Sequence, residues 1–205
     1  MNNEPLKNSE IDLFSKDELT IIHDTEFFRL KSTVTQKFYQ LFGELIQEIK
    51  EEIPQSKFVF PRGMDLKNGR ITKGENYLGL PYVVADFPKI FNQEGVFTFR
   101  TWFWWGNYVL FTWHLSGTYL RVYQNHLISK FEDFQKAELL IFIGEDEWQQ
   151  HITDSSYLDL NHVNKKTYVN LVKERPYFKV TQKLSFQDVE NISRIGKDIY
   201  EVFIK

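Results

Sequence analysis

The most regular pattern in the chain lies between Val34 and Ile53. There Val34, Phe38, Leu41, Phe42, Leu45, Ile46, Ile49 and Ile53 step by 4, 3, 1, 3, 1, 3 and 4 residues. Such steps place one apolar stripe on one side of a helix. Lys37, Gln40, Glu44, Glu48 and Glu51 fall on the other side. Asp24 or Thr25 suits the cap of that helix, and Pro54 its stop, because proline lacks the N–H a helix interior needs. Ser15 and Glu18 have the spacing of a capping box, which predicts a short helix from Lys16. The residues up to 14 read as a flexible tail.

A second pattern is strand-like. Val96–Trp105 and Tyr108–Leu115 are two β-prone, ring-rich runs joined by Gly106-Asn107. A two-residue Gly-Asn loop fits a tight hairpin, since glycine accepts positive φ. That register sets Trp105 against Tyr108, Arg100 against Trp113 and Phe99 against His114. It sends Arg100 and His114 to opposite faces. Both faces are largely apolar, so both need cover.

Around this hairpin the signals are shorter. Residues 58–79 are punctuated by Pro61, Gly63, Gly69, Gly74 and Gly79, and read as turns or short strands. Tyr77–Phe87 reads as a strand that Pro81 confines to an edge or a bulge and Pro88 closes. Leu120, Tyr123, Leu127, Phe131 and Phe134 have helical spacing. Glu138–Ile143 reads as a strand, followed by helices near His151 and over 161–173. Tyr177–Phe186 reads as a last strand. Ser185 and Asp188 then cap a final helix, with Val189, Ile192, Ile195, Ile199 and Val202 as its stripe. The expected fold class is α+β, with a mainly antiparallel central sheet, a long N-terminal helix and further helices packed on it. Residues 15–205 are expected to form a single α+β domain.

Composition sharpens this reading in two ways. The chain of 205 residues holds 19 Phe, 10 Tyr and 5 Trp, so rings must fill its core. It holds no cysteine, which excludes disulfides, thiolate metal sites and cysteine nucleophiles, and makes the cytoplasm the expected compartment. The formal charge is −3 and the pI about 6.0, against the basic footprint of a nucleic-acid binder. Residues 61–130 nevertheless carry a net +4, which suits an anionic ligand. Residues 96–113 contain one charge, Arg100, but Gly106-Asn107 divides them, so a buried hairpin is expected and no membrane span. The polar N-terminus lacks the apolar core of a secretory signal.

No Walker loop, Rossmann fingerprint, H-E-x-x-H or nucleophile elbow is present. The candidate chemistry therefore rests on isolated polar groups. Arg100 is a guanidinium in an aromatic strand. Burying it requires a carboxylate, a ring face or an anionic ligand. Asp86 is its expected carboxylate and Trp113 its expected ring. His114 suits a hydrogen-bonded core histidine. Residues 70–79 read as a glycine-rich loop in which Lys73 and Arg70 meet an anion and Tyr77 walls a ligand. Glu145, Asp146 and Glu147 with His151 have a weak metal-site spacing, and Asp154, Asp159 and His162 a weaker one.

These features favour small-molecule binding, of an anionic or aromatic ligand, in an aromatic-walled pocket. The expected ligand-binding residues are Arg100, Trp102, Trp104, Trp113, Tyr77, Lys73 and Asp86. No cofactor, metal ligand or catalytic residue is assigned. A protein–protein interaction module, including a homodimer, and a metal-assisted hydrolase using the 145–151 groups are the alternatives.

Overall fold

A computed structural model describes residues 13–205. Of the expected tail, residues 1–12 lie outside the described residues, and Leu13 and Phe14 are exposed. The chain divides into two compact units, one ending at Lys37 and one spanning Phe38–Lys205.

Helix α1 covers Lys16–His23 and carries the expected capping box between Ser15 and Glu18. Helix α2 covers Thr25–Glu52. The Asp24 carboxylate caps it by accepting from the Phe27 N–H at 2.8 Å. Pro54 lies in the 3-10 turn Ile53–Gln55 that ends it.

In the second unit seven strands form one sheet in the order β1-β2-β3-β4-β7-β5-β6, with every neighbouring pair antiparallel. The strands are β1 (Arg70–Tyr77), β2 (Leu80–Asn92), β3 (Gly95–Trp104), β4 (Tyr108–Ser116), β5 (Leu140–Phe142), β6 (Tyr157–Asp159) and β7 (Tyr177–Leu184). Helices α3 (Gly117–Ser129), α4 (Phe131–Lys136), α5 (Lys165–Glu174) and α6 (Ile192–Ile204) complete the α+β fold.

The β3–β4 hairpin exists, but its connection has three residues where two are expected. Trp104 pairs with Tyr108, and Asn107 N–H donates to the Trp104 carbonyl at 3.1 Å. Gly106 has φ +71°, the third position of a turn that demands positive φ. Trp105 is drawn into the turn because its N–H donates to the Pro81 carbonyl at 3.2 Å. One extra loop residue slides β4 by one position and turns every side chain of it to the other face. Arg100 therefore sits opposite Thr112, Phe99 opposite Trp113 and Thr98 opposite His114.

Three further expectations are corrected. Residues 70–77 form an edge strand whose pairing with β2 shifts register between Gly74 and Tyr77, and only Leu78 and Gly79, both at positive φ, make the turn. Strand β2 is interior and runs through Pro88, with a register shift between Asp86 and Lys89; its pairing with β1 also shifts register between Gly74 and Tyr77, opposite Pro81, so the bulge expected at this proline is present and the edge position is not. No helix forms around His151, for a reason given below.

One sheet face is covered by helices. Phe38 of α2 stacks on Phe103 with ring centres 3.5 Å apart, and Phe203 of α6 stacks on Trp113 at 4.1 Å. Gly196 lets α6 approach closely. A Cβ there would fall 2.7 Å from Leu45 Cδ2 and 2.8 Å from Phe111 Cε1. The opposite face is covered by the irregular stretch 143–156, and the charged groups gather beneath it.

Candidate functional site

Register builds the site. Asp86, Arg100, Thr112 and Thr181 stand side by side across β2, β3, β4 and β7. Lys89, Thr98, His114 and Lys179 form the next such rank, two residues along β3. Side chains two apart on a strand share a face, so both ranks belong to one polar stripe. Beside it lies an aromatic cluster of Trp102, Trp104 and Tyr108 with Tyr77 and Tyr82 packed against it.

Arg100 and Asp86 make a two-pronged ion pair, Nε to Oδ1 at 2.7 Å and an Nη to Oδ2 at 3.0 Å. Both side chains are shielded, with 12% and 17% exposure. The guanidinium lies 5.4 Å from the centre of the Trp148 ring. Trp148 also meets the His114 ring edge-on at 5.2 Å. His114 Nε2 lies 2.9 Å from a Glu147 carboxylate oxygen. Burial holds the His114 pKa below the usual imidazole range, against the opposing pull of Glu147. The bond from His114 holds the Glu147 pKa below the usual carboxylate range. Both shifts favour a neutral imidazole donating Nε2–H to an ionised carboxylate, which can only accept.

Lys179 is the most unusual group. It is 0% exposed. Its Nζ donates to the main-chain carbonyls of Glu147 at 2.9 Å and Gln149 at 2.5 Å. It also lies 4.2 Å from the centre of the Phe142 ring. Loss of water pushes its pKa down to about 7, helped by the positive charge of Arg100.

Those two carbonyls belong to a wider pattern. Arg175 and the Tyr177 hydroxyl both donate to the Gly144 carbonyl. The Tyr108 hydroxyl accepts from the Ile152 N–H at 2.9 Å. The Tyr77 hydroxyl accepts from the N–H groups of Gln150 at 2.6 Å and His151 at 3.2 Å. It meets His151 Nδ1 at 3.0 Å, where its single proton is used. Side chains around the sheet thus satisfy six backbone groups of residues 144–152. The stretch has no need of the i to i−4 bonds of a helix, and none forms there.

The structure brings Arg100, Asp86, Trp102, Trp104 and Tyr77 together on this face. Trp102 stacks on Tyr82 with ring centres 4.1 Å apart, and Trp104 Nε1 donates to the Tyr77 carbonyl at 3.2 Å. Two expected partners fall elsewhere. Trp113 lies on the helix-covered face, so Arg100 meets Trp148 instead. Lys73 lies on β1, 3.7 Å from Glu75, with both side chains 57% exposed. Such an exposed pair holds little. The separation expected between Arg100 and His114 is also reversed, because the longer turn brings them to one face.

Lys179, Trp148, Tyr108, Tyr177 and Arg175 belong to the site although no sequence motif marks them. Lys179 had a visible signal: it is a lone cation between Phe178 and Val180, as Arg100 is among rings. Glu147 and His151, considered as metal ligands, are engaged by His114 and Tyr77. Asp159 caps the 3-10 turn Leu160–His162 and lies 3.6 Å from His162. Among the described residues no group of three or more His, Asp or Glu side chains is placed to hold a metal ion, and no helix is long and apolar enough to cross a membrane. Comparison with known proteins finds no matching family model, no matching curated protein and no matching solved structure, so the reading of this face rests on its own geometry.

Proposed function

We propose that the protein binds a small anion, a carboxylate or phosphate on a largely apolar or aromatic body, at the polar stripe, with residues 144–152 acting as its lid. The observation that carries this reading is the pairing of Lys179. Its buried amine, protonated below about pH 7, meets carbonyl dipoles of the 144–152 stretch, and a full negative charge beside it would be the better partner and would favour the protonated form. Arg100 and His114 stand in the neighbouring positions of the same face. Trp102 and Tyr82 would wall the ligand's body. Trp148, 42% exposed above Arg100, would be the first group to move. A cysteine-free chain suits the cytoplasm, where we place the protein. The metal-assisted hydrolase gains no support from this geometry.

The test is thermal denaturation, with tryptophan fluorescence, against inorganic phosphate, sulfate, adenosine monophosphate, benzoate and citrate. A ligand at a hundred times its Kd is expected to raise the melting temperature by about 5–10 °C. Lys179→Met and Arg100→Met should abolish the shift. Trp148→Ala, altered only at the exposed lid, should retain the fold and change the fluorescence response. No shift with any compound, or a shift indifferent to Lys179 and Arg100, would overturn the proposal.

A further inference from the structure

Every residue from Leu13 to Leu30 is exposed. Eight of them are large and apolar, among them Leu19, Ile21, Ile22, Phe27 and Phe28, and their exposures run from 42% to 86%. Helix α1 buries no residue at all. At about 200 Å² for a large apolar side chain, eight of them half exposed present roughly 800 Å². The largest apolar patch on a typical monomer is about 300–600 Å². A specific interface buries about 800 Å² per partner. The segment thus presents an interface's worth of apolar surface.

Charge indicates what covers it. Residues 16–26 hold four acids, Asp17, Glu18, Asp24 and Glu26, against one base, Lys16. Residues 29–37 hold three bases, Arg29, Lys31 and Lys37, and no acid. Laid antiparallel on a second copy, the acidic half of each arm meets the basic half of the other. A two-fold axis makes both contacts identical, as an isologous dimer requires. Parallel arms would set like charges together.

We infer that residues 13–37 form a self-association arm through which two copies of this chain pair antiparallel, by the apolar side chains of Leu13–Leu30 and the opposed charge of the two arm halves. The segment shares no residue with the polar stripe, and its test does not depend on ligand binding. Light scattering on the full chain during gel filtration is expected to give a dimer mass that falls towards the monomer on dilution. Phe27→Ser with Phe28→Ser should weaken association by at least about a hundredfold. Both positions are exposed, so circular dichroism should be unchanged.

Arg29→Glu with Lys31→Glu makes the arm wholly acidic in its central part, and Asp24→Lys with Glu26→Lys makes it basic. Each variant alone should be monomeric, an equimolar mixture should pair, and all four changes in one chain should restore self-association. A monomer at every concentration, or a dimer unaffected by these changes, would overturn the inference. So would capture of a different protein by a chain that remains monomeric alone.

Discussion

Asp86→Ala is expected to lower the unfolding free energy by about 3–5 kcal/mol, because it strands a shielded guanidinium without its carboxylate. Arg100 and Asp86 hold each other through two bonds of 2.7 and 3.0 Å, under the cover of Trp148. The attraction between them offsets the cost of taking both charges out of water. Removing one partner leaves that cost uncompensated, whereas removing both takes it away. The double variant Asp86→Ala, Arg100→Met should therefore recover to within about 1 kcal/mol of the parent. Urea denaturation of the parent, the two single variants and the double variant measures this directly. A loss below about 1 kcal/mol for Asp86→Ala would mean that water reaches Arg100 freely.

Stability should rise with pH above neutrality, and Lys179 should be the cause. Its ordinary pKa of 10.5 falls to about 7 in the folded protein. Between these values the unfolded chain binds a proton that the folded chain does not. Raising the pH then favours the folded state, by up to about 1.4 kcal/mol per pH unit. The contribution is complete above pH 10.5 and is lost as pH falls through 7. The neutral amine retains two N–H groups for the carbonyls of Glu147 and Gln149.

His114, also lowered by burial, extends the trend to the acid side, with a further loss as pH falls below 6.5. Tyr108, Tyr157, Tyr168 and Tyr200 are raised by burial, so their effect on stability begins only above about pH 10, where it opposes that of Lys179. Denaturant titrations from pH 6 to 10 should show the rise in the parent and its loss in Lys179→Met. A parent whose stability is flat from pH 7 to 10 would contradict the buried position of this ammonium.

Elements with a strong period were legible in the sequence. The stripe from Phe38 to Ile49 and the Ser15–Glu18 box appear as a helix face and a cap. Glycine and ring patterning located the β3–β4 hairpin. What failed was its register. Gly106 accepts positive φ whether the loop holds two residues or three, and the bond from Trp105 to Pro81 that decides between them is long-range. That single residue misplaced Trp113 and separated Arg100 from His114.

The Arg100–Asp86 pair was legible because the two residues flank one short connection and oppose each other in register. The partners of Lys179 and Tyr77 were not, because they are main-chain atoms, and a backbone carbonyl carries no sequence signature. Gly74 misled for a local reason. Its missing Cβ makes room for the Tyr82 ring, and this reads from sequence like a loop glycine.

Hydrogen exchange at three amides probes the link between the sheet and its cover. The N–H groups of Gln150, His151 and Ile152 are held by the hydroxyls of Tyr77 and Tyr108. In the parent these amides should be protected although they lie outside any helix or strand. Tyr77→Phe removes the hydroxyl and keeps the ring, so exchange at Gln150 and His151 should accelerate about tenfold, with the amides of β3 and β4 unchanged. Unprotected amides at 150–152 in the parent, or protection indifferent to Tyr77→Phe, would contradict the account.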